Sequence, residues 1–252
     1  MSRAMPRCRD RLRILLLQIR DEAQTRREEL DSFARFSGLH PEQFGILNLF
    51  DTPAFDPSRV LDFDALYVGG SSEASVLEPE RYPFVGPAQA LLRFCIARGV
   101  PVFASCFGHQ LAVMALGGRI LRDARDFEMG TLPITLTEAA QQDPVYRGTP
   151  DPFMAVSVHR ERATELPPGC ELLAWSPACI HSFRVTGAPF WTTQFHPEVD
   201  KQVLIDRLTL FRAKYTDGDG HLQRVLERAV ETPDSNNLLR NFVDRVLLER
   251  RA

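Results

Sequence analysis

Apolar residues recur along this chain in two rhythms. Near-continuous apolar runs at Leu12 to Ile19, Phe44 to Phe50, Ala65 to Val68 and Pro101 to Ala104 are of strand length and predict buried strands. Between them, Asp21 to Phe36 carries Leu30, Phe33 and Phe36 at helical spacing, and Pro87 to Arg98 reads as a second helix closed by Gly99. This alternation predicts a parallel sheet with helices on both faces. After Gly118 the rhythm shortens. Runs at Leu132 to Leu136, Phe153 to Val158, Glu171 to Trp175, Ile180 to Val185 and Phe190 to Thr193, broken by Pro and Gly, complete the sheet and add an antiparallel ribbon. Lys201 to Tyr215, Leu222 to Val230 and Asn237 to Leu248 read as helices, with turns at Asp217 to Gly220 and Thr232 to Asp234. The expected division is an α/β domain over residues 1–215 and a C-terminal helical extension over 216–252. That extension either packs back on the core or forms an arm for a partner or a second copy.

One junction stands out. Pro101 to Ala104 turns sharply through Ser105-Cys106-Phe107-Gly108, and from His109 an apolar-rich helix runs to Gly117-Gly118. A cysteine where a strand becomes a helix is held up in a tight turn. The free N–H groups and positive dipole end of the helix beside it favour a thiolate and an oxyanion. Cysteine is also a common core residue, so Cys106 needs partners elsewhere in the chain to carry chemistry. His196-Pro197-Glu198 supplies candidates. Residues two apart in an extended segment face the same side, and Pro197 keeps His196 out of a helix, so Glu198 can orient the imidazole. Gly69-Gly70 also follows a predicted strand directly, which places it with Cys106 at the carboxyl edge of the sheet.

Composition narrows the class. At 252 residues, 44% hydrophobic and 25% charged, the chain reads as one large globular domain with a small addition. A net charge of -3 offers no footprint for nucleic acid or an anionic membrane. Five cysteines without CxxC pairing indicate neither a disulfide framework nor a zinc site. The apolar start is too short for a membrane span and runs into Arg20-Asp21-Glu22, so a cytoplasmic location is expected. The acidic run at Asp217 to Gly220 lacks the spaced ligands and final Glu of a calcium loop.

Ala104-Ser105-Cys106-Phe107-Gly108-His109-Gln110 followed by Gln194-Phe195-His196-Pro197-Glu198 resembles the class I glutamine amidotransferases. The likeness runs from about Leu12 to Arg212 in the family's order and takes in Gly69-Gly70, Gly117-Gly118, Glu128-Met129-Gly130 and Ser157 to Glu161. It implies a flavodoxin-like, mostly parallel sheet and a Cys-His-Glu triad without a cofactor. Cys106 is then the nucleophile, His196 the proton carrier and Glu198 its orienting carboxylate, with the N–H groups of Gly70 and Phe107 as oxyanion hole. Gln110 would meet the amino acid end of the substrate, the alternative being a solvated or capping amide. The resemblance gives His109 no proton-transfer work and puts His159 behind the backbone that holds substrate. His181, near Cys179, is read as structural, because one His and one Cys do not make a metal site. Three positions depart from the family pattern: Ala104 replaces Gly at some expected strain, Ser71-Ser72 follows Gly70, and Arg160 replaces Gly. They surround the substrate's head group.

Three functions follow in order. The first is a glutaminase-type amidotransferase, similar to the amidotransferase half of GMP synthase, that releases ammonia to a separate synthetase partner, since no synthetase loop follows Tyr215. The second is a γ-glutamyl peptidase acting on larger γ-glutamyl compounds. The third is a non-catalytic interaction protein, ranked last because Cys106, His196 and Glu198 are all present. A homodimer is compatible with each.

Overall fold

The near-continuous apolar runs become strands covered on both faces. The computed structural model describes residues 8–122, 127–210 and 219–249. Strands β1 (Ile14–Gln18), β2 (Phe44–Asn48), β3 (Ala65–Val68), β4 (Val102–Ser105), β6 (Glu128–Leu136), β7 (Phe153–His159), β9 (Cys170–Trp175), β10 (Ile180–Val185) and β11 (Phe190–Thr193) form one sheet in the order β2-β1-β3-β4-β11-β10-β9-β6-β7. β2, β1, β3, β4 and β11 pair in parallel, and from β11 outward the pairing is antiparallel. The expected flavodoxin-like class is therefore observed. The small antiparallel ribbon is β5 (Leu121–Arg122) against β8 (Glu161–Arg162).

Alternation along the strands divides the core. Leu15 and Leu17 of β1, Leu66 and Val68 of β3 and Val102 and Ala104 of β4 face helices α2 (Val85–Arg98) and α3 (Phe107–Ala115). Their neighbours Ile14, Leu16, Ala65, Tyr67 and Phe103 face the opposite layer, which contains α1 (Ala23–Ser37). Two-sided burial explains why these strands read as apolar blocks with no polar alternation. Both α1 and α2 end on a glycine in the left-handed region, Gly38 at φ 65° and Gly99 at φ 64°, whose N–H groups close the last helical turn.

The described residues after Thr193 pack back on this core. A short α4 (Glu138–Gln142) follows β6, and α5 (Lys201–Leu210) and α6 (Asp219–Arg228) lie over β6 and β7, with Leu204, Leu208 and Leu222 against Met129 and Val156. α7 (Pro233–Asn241) continues as a wider π-type segment, Phe242–Leu248. Leu238, Leu239, Phe242, Val243 and Leu247 are fully buried in the layer that holds Tyr67 and Phe103. Phe242 meets Tyr67, Phe103 and Trp191 at ring-centroid distances of 5.8, 5.5 and 5.8 Å.

Several boundaries differ from expectation. α3 starts at Phe107, two residues early, because the turn at the corner is a single residue, Cys106. α7 starts at Pro233, inside the expected break, because a proline at the first helical position lacks only an N–H that would be unpaired anyway. β6 begins four residues early, at Glu128, through its pairing with β7. The expected helix over 201–215 and turn at 217–220 fall partly outside the described residues; within them, Asp219 and Gly220 open α6. No described helix is long and apolar enough to cross a membrane.

Truncation at Phe242 tests how far this segment belongs to the core. Phe242→Ala should lower stability by about 3–5 kcal/mol in equilibrium urea denaturation, the range for deleting a buried aromatic ring. A change below about 1 kcal/mol would mean that the ring is not packed as described.

Candidate active site

β4 runs between β3 and β11, and its last residue hands the chain to Cys106 at φ 49° and ψ -100°. Cys106 is the one non-glycine residue at positive φ among the described residues. Such a conformation costs about 1–3 kcal/mol and persists only where its surroundings impose it. Here the Cys106 N–H donates to Thr193 O at 2.7 Å, and Cys106 O accepts from the Gln110 N–H at 3.1 Å. Gly108 is required as well, since a Cβ there would lie 2.9 Å from the Val68 carbonyl oxygen and side chain. The strain expected at Ala104 is not found there. That residue lies in extended β4, paired with Val68 and Thr192, and the strain falls on Cys106.

The imidazole arrives from the end of β11. His196 N–H donates to Val156 O at 2.8 Å, and Asn236 of α7 donates through Nδ2 to Pro197 O at 2.8 Å and Val199 O at 3.1 Å. The segment carrying His196 and Glu198 is thus pinned by β7 on one side and by the C-terminal helix on the other. His196 Nδ1 lies 2.6 Å from Glu198 Oε1, and the Cys106 charge acts on the same ring. Burial alone would lower the pKa of His196. The Cys106 and Glu198 charges overcome it and raise the ring to about 9. For Glu198, burial favours the neutral acid, but the His196 charge and hydrogen bond outweigh it and hold the carboxyl below its usual range. A thiol, an imidazole and a fully buried carboxylate in this order can move a proton off sulfur and keep it on nitrogen.

Gly69-Gly70 faces this group. A Cβ at Gly70 would come within 2.9 Å of His196 Cε1, 3.0 Å of Arg20 Nη2 and 3.6 Å of Cys106 Cβ. Behind it lies a buried ion pair absent from the sequence expectation: Arg20 Nε donates to Glu29 Oε1 at 2.9 Å, and Arg20 Nη1 to Ser72 Oγ at 3.1 Å. Arg20 thereby ties α1 to the residues after Gly70. Its signal was its place just beyond β1, at the carboxyl edge where ligands gather in such sheets.

A cavity of about 320 Å³ opens on Cys106 and Phe107 and extends past Ser72 and Tyr82 to Arg81 and Arg160. Gln110 lines it but is already engaged, its Nε2 donating to Glu161 O at 2.8 Å. His109 points away from Cys106, with Nδ1 2.9 Å from Thr192 Oγ1, and burial followed by the His181 and His159 charges lowers it to about 3. It stays neutral, in line with the expectation that it transfers no proton. His159 backs the cavity wall with Nε2 2.8 Å from Glu128 Oε2. His181 and Cys179 are not the isolated pair that the sequence suggested, because β6 and β7 bring Glu128 and His159 to them.

Comparison with known proteins bears on family and fold. The model of the family "Glutamine amidotransferase class-I" matches residues 69–208. A glutamine-hydrolysing GMP synthase subunit from Pyrococcus abyssi is 32% identical over 152 residues, covering 60% of this chain and 71% of that one. The corresponding subunit from Thermococcus kodakarensis is 31% identical over 115 residues, 45% of this chain, and the match spans only 59% of that protein. Gamma-glutamyl peptidase 3 of Arabidopsis thaliana is 25% identical over 183 residues, 69% of this chain and 70% of that one. Among solved structures, a glutamine amidotransferase from Thermotoga maritima superposes with a TM-score of 0.75 at 18% identity, covering 95% of this chain and 99% of that one, a likeness of fold.

Two measurements check the site. In ring-proton NMR, His196 should titrate near 9, and Cys106→Ser or Glu198→Gln should each lower that midpoint by removing one anion. A midpoint that neither substitution moves would contradict the geometry. Because the folded value lies above the ordinary 6.5, the stability His196 contributes is complete below pH 6.5 and is lost as pH rises through about 9. Gly69→Ala would place a methyl 2.5 Å from Glu29 Oε1 and should destabilise by about 1–3 kcal/mol in thermal or urea denaturation. An unchanged midpoint would mean that the loop is looser than described.

Proposed function

The chain belongs to the glutamine amidotransferase class-I family, and from that premise we propose that it is an amidase that cleaves the γ-carboxamide of glutamine through a Cys106 thioester. The observation that carries this reading is Cys106, held at a strained corner on a cavity wall with the His196–Glu198 pair beside it. His196 takes the thiol proton, and the sulfur attacks the γ-carbonyl carbon to give a tetrahedral oxyanion. The N–H groups of Gly70 and Phe107 are the donors for that oxygen; Phe107 opens α3, where N–H groups lack helical partners. When the C–N bond breaks, His196 returns the proton and ammonia leaves. Water then attacks the thioester, His196 again receives the proton, and glutamate departs as sulfur regains it. Gln110 and the Ser71-Ser72 turn border the space for the amino acid end of the substrate.

The ammonia would pass to a separate acceptor. The archaeal relatives, being subunits of GMP synthase, point to a synthetase partner, and no step above needs a cofactor. A second reading has its own support. The cavity continues beyond Cys106 to the cationic side chains of Arg81 and Arg160, with Arg160 standing where the family has glycine, and this suits a γ-glutamyl compound with an anionic second residue. Among the relatives, the plant protein is by its name a gamma-glutamyl peptidase.

Hydrolysis of glutamine and of γ-glutamyl dipeptides by the wild type and by Cys106→Ala tests the proposal. Loss of at least about 10³-fold in kcat is expected on substitution of the nucleophile. Equal rates for the two proteins would remove the proposal, and a kcat/KM preference for dipeptides ending in an acidic residue would select the peptidase.

A further inference from the structure

Behind the cavity wall, four side chains with metal-binding atoms converge from separate parts of the sheet. Glu128 begins β6, His159 ends β7 directly opposite it, Cys179 lies in the turn before β10, and His181 lies in β10. His159 Nε2, His181 Nε2 and Cys179 Sγ stand 2.8, 3.0 and 3.8 Å from one oxygen, Glu128 Oε2. All four donor atoms lie within 4.8 Å of one another, and the two imidazoles and the thiol are buried.

We propose that these four residues form a binding site for a tetrahedral divalent transition-metal ion of the zinc type. Two imidazole nitrogens, one thiol sulfur and one carboxylate oxygen make a borderline-soft set that suits zinc and disfavours magnesium or calcium. Bonds of about 2.0–2.3 Å put the corners of a tetrahedron about 3.3–3.8 Å apart, so the observed separations need shifts of only a few tenths of an ångström to well under two. Charge balances too. Binding releases the Cys179 proton, and a doubly positive ion against one thiolate and one carboxylate leaves a neutral centre, which a buried position tolerates.

The surroundings are arranged for such a centre. Ser176 Oγ donates to Glu128 Oε1 at 2.9 Å and accepts from the Ala178 N–H at 3.2 Å, which turns the other carboxylate oxygen toward the cluster. Ser176 N–H donates to Cys179 O at 3.0 Å, closing the turn that presents the thiol. Among the described residues the Nδ1 atoms of His159 and His181 have no hydrogen-bond partner, and both rings are oriented from their Nε2 side, that of His159 toward Glu128 and that of His181 toward Glu128 Oε2 and, at 3.1 Å, Ser176 Oγ. Four protein ligands leave no open position, so the ion would clamp β6, β7 and the turn before β10 into one wall without acting on substrate.

The test uses the full chain with Cys106→Ser, so that the thiol of the active site cannot ligate. After chelator treatment, this protein is titrated with zinc against a chromophoric chelator and with cobalt in the absorption spectrometer. One ion per chain is expected, with a thiolate-to-cobalt charge-transfer band, intense tetrahedral d–d bands and a raised Tm. Adding Cys179→Ser or His181→Gln should weaken zinc binding at least about 100-fold and abolish the cobalt bands. Where Cys179→Ser fails to fold, His181→Gln decides. No stoichiometric binding in the Cys106→Ser protein, or binding and bands that survive His181→Gln, would overturn the site and leave a carboxylate hydrogen-bonded by two imidazoles. Amide hydrolysis is not measured, so neither result bears on the proposed reaction.

Discussion

The fold is organised around one unfavourable backbone conformation. Cys106 holds a positive φ that a side chain resists, and two hydrogen bonds, one to β11 and one from α3, keep it there. Each needs its element in register. β4 must lie between β3 and β11, and α3 must start at the very next residue, which in turn demands the bare Cα of Gly108 over Val68. The local strain is sustained by the most completely buried part of the molecule, which lets a reactive side chain stand at a fixed place on the cavity wall.

Charge is distributed to the same end. Three carboxylates around the cavity each have a partner: Glu198 has His196, Glu29 has Arg20, and Glu128 is hydrogen-bonded by two imidazoles. None of these carboxylates is left alone in a low-dielectric interior, where an isolated charge would protonate or unfold its surroundings. Arg20 spans two of these pairs, since its guanidinium reaches both Glu29 and the backbone side of Gly70, against which His196 also packs.

Much of this was legible in the sequence because it rests on local rules. Apolar blocks marked the central strands, Gly99 marked a helix end, and the resemblance carried by the Cys106 and His196-Pro197-Glu198 motifs marked the candidate site. What escaped depends on register between distant segments. Nothing near Glu128 or His159 announces His181, because only the antiparallel pairing of β6 with β7 and the path of β10 bring them together. Arg20 stood in the sequence only as the end of the first apolar run, and its burial follows from its pairing with Glu29 of α1. Pro233 read as a break and is a helix start, since proline serves both and only the following contacts decide.

The aromatic cluster under the sheet has a consequence for the order of assembly. Tyr67, Phe103 and Trp191 are synthesised well before Phe242; Tyr67 meets Phe33 and Phe44 early in the chain, but the ring that touches all three comes last. A growing polypeptide that already holds Cys106, His196 and Glu198 therefore still lacks both part of the cover beneath its central strands and the Asn236 clamp on the His196 segment. Until Phe242 and its neighbours have cleared the ribosome, the apolar area they bury stays open, and that interval is when a chaperone has something to hold.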